Sequence, residues 1–233
     1  MNGNFASEKE LRNERLIATR KVVLSLLGPI GIAIEESIFN IGERIRDKRF
    51  REFVEILSKK VEEIDTKTLT NEYFLSEEFY DLNVKIIQSV ISTSEKIKYD
   101  ILSNLFVKSI NSKYHWENDI DSIFVKIIND FSINHFLVLR YLLTKQFILK
   151  IPSYEFLHND FCKYINNSEI DKYQFRFYCR EIENKSLIRF SLNIDELGNE
   201  GGGYTEAEDS AKIESIILTS FGEKFISLLD SYE

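Results

Sequence analysis

Apolar residues recur every three or four positions through the first half of the chain, which is the spacing of helices with one buried face. Gly28-Pro29 interrupts the first such stretch, and a further boundary between helices is expected between Arg46 and Asp47. The pattern predicts successive helices over about residues 8–27, 30–46, 47–64, 70–90, 94–110 and 118–130. Residues 1–130 are therefore expected to form an antiparallel helical bundle.

The pattern changes after Asp130. Three further helical stretches precede "IRFSLNI", which alternates apolar and polar residues as a half-buried strand does, and "IESIIL" then leads into a short closing helix. This order is that of a winged helix. We expect a mainly α chain, with the N-terminal bundle at 1–130 followed by a winged-helix-like module with a small β-hairpin at 131–233. A flexible, acidic wing loop is expected at about 195–212.

The third helix of that module carries the best candidate for DNA recognition. Lys172, Arg176 and Arg180 recur every fourth residue and share one helix face. In helix-turn-helix proteins the equivalent helix enters the major groove. A solvated helix face is the simpler interpretation of the same spacing.

Charge argues against nucleic acid as the partner. The net charge is −8, and residues 151–233 carry 8 Lys and Arg against 16 Asp and Glu. Seven acidic residues lie between Asp195 and Glu214, opposed only by Lys212. In a winged helix they would sit near DNA phosphates and repel them over roughly 8 Å. Nucleic acid binding is possible but disfavoured by this loop.

Motifs for catalysis or cofactor binding are missing from the sequence. No phosphate-binding loop, GxSxG or HExxH motif occurs. His158 and Cys162 share a predicted helix face and Cys179 lies on the next helix, but a fourth metal ligand cannot be named. We expect no enzymatic activity, no metal and no cofactor.

Two other segments suggest contacts with partners. The connector "NSKYHWEND" places His115 beside Trp116, a residue type enriched in interface hot spots, and together with the aromatic-rich helices it is the candidate protein interface. The apolar run from Val22 to Ile34 is shorter than the roughly 20 residues of a membrane span. A buried helix pair is expected there, with membrane contact through 22–34 as the alternative. Two cysteines and the lack of a signal-peptide pattern indicate a cytoplasmic protein.

The order of these features resembles the Abi-alpha family of bacterial proteins. The likeness rests on the Gly-Pro-containing apolar helix, the charged "RIRDKRFREFVEIL" helix and the closing "LTSFGEKF". Residues matching the family's closing motif are Leu218, Thr219, Gly222 and Phe225. The resemblance implies a context of abortive infection, a defence against bacteriophage, and it implies no catalytic residues.

The expected function is that of a non-enzymatic protein-interaction module acting in phage defence or stress response. Its partner would be another protein or a second copy of the chain. A winged-helix transcription regulator that reads DNA through Lys172, Arg176 and Arg180 is the first alternative. A membrane-perturbing effector acting through 22–34 is the second.

Overall fold

The computed structural model describes residues 41–62, 76–110, 119–146, 151, 153–166, 169–192 and 213–229. Several predicted features lie outside the described residues. These are the helix at 8–27, the apolar run at 22–34, the interface candidates His115 and Trp116, and the acidic loop at 195–212.

Eight helices and two strands make up the part of the chain that the structure describes. The helices are α1 (Ile41–Glu62), α2 (Glu77–Ser92), α3 (Lys96–Ile110), α4 (Ile120–Asp130), α5 (Ile133–Lys145), α6 (Tyr154–Tyr164), α7 (Lys172–Asn184) and α8 (Ser220–Ile226). The strands are β1 (Ile188–Leu192) and β2 (Ile213–Leu218). The prediction of a mainly helical chain with a small antiparallel strand pair is confirmed.

The chain divides into two compact units. The first comprises residues 1–130 together with 228–233, and the second comprises residues 131–227. Of the described residues, Leu228 and Leu229 thus group with the first unit.

In the first unit, α1 and α4 each pack against both α2 and α3. Each helix turns its apolar stripe inward, so that the buried core draws on all four: Phe53, Leu57, Ile86, Val90, Leu102, Phe106, Phe124 and Ile128. An ion pair adds a polar tie between α1 and α3, because Lys60 Nζ lies 2.6 Å from the Asp100 carboxylate. Both side chains are mostly buried.

The predicted helix break between Arg46 and Asp47 is wrong, because α1 runs without interruption from Ile41 to Glu62. Charged residues at this point stabilise a continuous helix. Arg51 Nη2 lies 2.8 Å from the Asp47 carboxylate one turn earlier. Since residues 43–62 contain neither proline nor glycine, nothing in the backbone favours a break there.

In the second unit, α7 packs against α5 and α6 and also contacts β1. Aromatic rings fill the space between the three helices. The ring centroids of Tyr141 and Phe161 are 5.3 Å apart, and those of Phe161 and Phe175 are 5.0 Å apart. This core fixes which side of α7 faces inward.

The strands β1 and β2 pair antiparallel, with Ile188 opposite Leu218 and an irregularity between Ser191 and Leu192. Ile151, in the connection from α5 to α6, forms a bridge with Ile213 through two backbone hydrogen bonds of 2.8 and 2.9 Å. A third chain segment therefore contacts the β2 edge that β1 leaves open.

The closing motif that includes Thr219 and Gly222 has a structural role. Thr219 Oγ accepts a hydrogen bond from the Gly222 N–H at 2.8 Å, which caps α8, and donates one to the Ser186 carbonyl at 2.6 Å. A Cβ atom at Gly222 would lie 1.9 Å from the Leu187 carbonyl oxygen. The motif thus fastens α8 to the turn between α7 and β1.

Candidate functional site

Helix α7 begins at a well-defined cap. The Asp171 carboxylate accepts hydrogen bonds from the backbone N–H groups of Tyr173 and Gln174, each at 2.8 Å. The Gln174 side chain in turn accepts from the Asp171 N–H at 3.2 Å. This reciprocal capping box satisfies the first donors of the helix. On its inner side α7 buries Phe175, Cys179 and Ile182.

The outer side of α7 exposes two large aromatic rings. Tyr173 is 67% exposed and Phe177 is 55% exposed. They are one helical turn apart and therefore neighbours on the helix surface. We refer to the face formed by the following residues as the α7 surface: Lys172, Tyr173, Arg176, Phe177 and Arg180.

The three predicted cations occupy different environments. Lys172 is exposed, with its Nζ 5.1 Å from the centroid of the Tyr173 ring. Arg176 is half-buried, with its guanidinium 5.6 Å from the centroid of the Tyr154 ring. Arg180 is exposed one turn further along. The structure thus brings Lys172 and Arg176 to one end of the surface and leaves Arg180 at the other.

A small cleft lies at that end, between the first turns of α6 and α7. Its volume is about 50 Å³, and its lining consists of Tyr154, Glu155, Lys172, Tyr173 and Arg176. Burial raises the pKa of the Tyr154 hydroxyl above its usual range. The cleft therefore combines two cations, one carboxylate and two aromatic walls.

Acidic groups next to α7 are partly engaged in structural contacts. Asp171 caps the helix, as described above. Glu183 accepts a hydrogen bond at 2.8 Å from the Phe190 N–H of β1. Both carboxylates therefore hold backbone groups of the fold.

The pair His158 and Cys162 does not have the arrangement of a catalytic dyad. His158 Nε2 lies 2.8 Å from the Ile170 carbonyl oxygen, which can only accept a hydrogen bond. That nitrogen therefore carries a proton and cannot also remove one from Cys162 Sγ, 3.4 Å away. Cys179 is fully buried, and desolvation raises the pKa of its thiol. Within the described ranges, no three His, Cys, Asp or Glu side chains group as metal ligands.

A second groove lies in the first unit between α2 and α4, and two pairs of its polar side chains hydrogen-bond across it. Lys85 Nζ donates to Ser122 Oγ at 2.9 Å, and Asn129 Nδ2 donates to Ser89 Oγ at 2.8 Å. These contacts hold the two helices together. The α7 surface is therefore the stronger candidate for binding.

Sequence reasoning identified the cations of the α7 surface but did not single out Tyr173 and Phe177. Aromatic residues in a helical pattern usually lie in the core. The exposure of these two rings depends on how α7 packs in the second unit, which the sequence pattern does not show. Among the described helices, none alone is long and apolar enough to cross a membrane, and α4 and α5 reach that length and apolarity only together. No family model, curated protein or solved structure matches this chain.

Proposed function

We propose that the second unit is a winged-helix-like module that binds a partner protein through the α7 surface, without catalysing a reaction. The order α5, α6, α7, β1 and β2, with Ile151 alongside β2, supports the winged-helix interpretation. The mutual packing of α1 to α4 supports an antiparallel bundle in the first unit.

The observation that carries the proposal is the exposure of Tyr173 and Phe177 on one face of α7. Aromatic side chains and arginine are enriched at the centres of protein interfaces, while other charged residues are depleted there. Covering the two rings would remove roughly 200 Å² of apolar surface from water, worth roughly 5 kcal/mol before the entropic cost of association. A partner with a complementary apolar residue would gain this energy.

Duplex DNA is the alternative partner, and one observation favours it. Lys172 and Arg180 are exposed on the third helix of the module, where a recognition helix would present them. Two features oppose it. Bases in the major groove are read mainly by hydrogen-bonding side chains, whereas the centre of this face is aromatic. The net charge of −8 also repels a polyanion.

A non-enzymatic role is supported by the titratable side chains of α6, the helix packed against α7. Burial raises the pKa of the Tyr154 hydroxyl, which makes it a poorer base or nucleophile precursor, and His158 hydrogen-bonds to the Ile170 carbonyl. Phage defence or stress response is the context we propose from the resemblance to the Abi-alpha family. Membrane contact through 22–34 stays a prediction, since these residues lie outside the described ranges.

Selection of short peptides would test the proposal. A displayed library of 12-residue peptides is selected on the immobilised full chain and counter-selected on the double variant Tyr173→Ala/Phe177→Ala. We expect enriched peptides that bind the wild-type chain and lose at least about tenfold in affinity for the double variant, because truncating interface hot spots costs about 2 kcal/mol or more.

The matched control is Tyr80→Ala, which removes an aromatic ring of 53% exposure from α2 in the first unit. This variant should bind the same peptides as tightly as the wild-type chain. If no peptide distinguishes the wild-type chain from the double variant, the α7 surface is not a protein-binding site.

A further inference from the structure

The cleft between α6 and α7 has the charge of an anion site. Lys172 and Arg176 line it together with one carboxylate, that of Glu155. The first turns of two helices meet there, since Tyr154 opens α6 and Lys172 opens α7, whose first N–H groups the Asp171 carboxylate caps. Among the lining side chains the cations outnumber the acid, whereas the chain as a whole carries a net charge of −8.

The Arg176 guanidinium is held in place before any ligand arrives. It lies over the Tyr154 ring, and Tyr154 is itself only 8% exposed. A guanidinium held over a buried ring by a cation–π contact has already lost part of its freedom, so binding costs less conformational entropy. Such a fixed, planar donor suits a carboxylate, which can accept two parallel hydrogen bonds.

The size of the cleft limits what can enter. A volume of about 50 Å³ accommodates roughly four water-sized spheres, the space of one small polar group. Tyr173 forms part of the cleft wall and is also one of the two exposed rings of the α7 surface. A group seated in the cleft is therefore next to an apolar side chain packed on Tyr173 and Phe177.

We infer that the partner segment is acidic and inserts one Asp or Glu carboxylate between Lys172 and Arg176, while an adjacent apolar side chain packs on Tyr173 and Phe177. This inference rests on the proposed function and adds the chemistry of its partner. The two rings supply apolar contact area, and the cleft selects for the acid beside it. Arg180, one turn further along α7, is outside this anchor.

The test uses the peptides enriched on the full chain. We expect each group of similar peptides to contain an Asp or Glu at a fixed spacing from an aromatic or aliphatic residue. Replacing that acid by its amide in a synthetic peptide should weaken binding about tenfold, because the neutral amide cannot form the charge-assisted hydrogen bonds of a carboxylate. Binding should also weaken as salt is raised from 50 to 300 mM.

Variants of the chain complete the experiment. Arg176→Gln should weaken binding of the acidic peptide about tenfold and leave binding of its amide version unchanged. Lys172→Ala, at an exposed position where folding is not at risk, should show the same selectivity with a smaller effect. The matched control is Lys224→Ala on α8, an exposed cation of the same unit, which should have no effect.

The outcomes separate the two proposals. If the peptides need Tyr173 and Phe177 but carry no acid, or ignore both Lys172→Ala and Arg176→Gln, the carboxylate anchor is wrong and protein binding stands. If the double aromatic variant binds as well as the wild-type chain, both proposals fail. Displacement of the peptide by a 20-nucleotide oligothymidylate at micromolar concentration would also overturn the inference, because such competition would identify a binding site for single-stranded nucleic acid.

Discussion

Replacing Asp121 by Asn should stabilise the first unit, and the size of the gain should depend on pH. Asp121 lies in the first turn of α4, and burial raises the pKa of its carboxyl from 3.8 to about 6. Its Oδ1 atom is buried and has no hydrogen-bond partner within the described part of the chain. The ionised form is therefore poorly solvated in the folded state.

The magnitude follows from the shift in pKa. About two pKa units correspond to about 3 kcal/mol, and partial exposure of the carboxyl reduces this to about 2 kcal/mol. Because the folded pKa is the higher one, the carboxyl contributes no penalty below pH 3.8. The penalty grows as the pH rises from 3.8 through 6, and it is complete at pH 8.

Urea unfolding followed by circular dichroism at pH 4 and pH 8 would measure this. We expect Asp121→Asn to raise the free energy of unfolding of the first unit by about 2 kcal/mol at pH 8 and to leave it unchanged at pH 4. The control Asp81→Asn, at an exposed position on α2, should change it by less than about 0.5 kcal/mol at either pH. A destabilised Asp121→Asn protein at pH 8, or the same difference at both pH values, would refute the reasoning.

Three further changes test the packing. Gly222→Ala should destabilise the second unit by at least about 2 kcal/mol in thermal unfolding, because the new methyl group would collide with the Leu187 backbone; an unchanged Tm would contradict this. Thr219→Ala should cost about 1–2 kcal/mol through the lost cap, and Thr219→Ser should recover most of it. Lys60→Met should cost about 3 kcal/mol by leaving Asp100 buried without its cation, whereas Lys60→Met combined with Asp100→Leu should regain most of the loss. A double variant as unstable as the single one would argue against that ion pair.

Local patterns were sufficient to predict much of the helical structure. Three helical stretches were expected after Asp130, where the structure has α5, α6 and α7, and the alternation in "IRFSLNI" placed a strand at β1. Both patterns depend only on residues that are close together in the sequence, so the sequence alone is enough to predict them. The break expected between Arg46 and Asp47 is wrong, because the helix continues there and the i,i+4 pair of Asp47 and Arg51 stabilises it.

The binding surface was only partly readable, because its properties depend on distant contacts. The periodicity of Lys172, Arg176 and Arg180 is visible in the sequence, but the position of Arg176 over Tyr154 depends on how α6 packs against α7. The exposure of Phe177 likewise depends on which side of α7 packs against α5 and α6. The contact between Gly222 and the Leu187 carbonyl joins residues 35 positions apart, beyond the reach of local patterns.

The most direct test of the central claim compares two ligands on the same chain at 150 mM salt. Fluorescence anisotropy would measure the affinity of the full chain for a labelled peptide from the selection and for a labelled 20-base-pair DNA duplex. We expect the peptide to bind the wild-type chain, and the Phe177→Ala variant to bind it at least about tenfold more weakly. The duplex should show no binding at micromolar protein concentration. Tight duplex binding that depends on Lys172 and Arg180, together with peptide binding unaffected by Phe177→Ala, would contradict the account and establish the DNA-binding alternative.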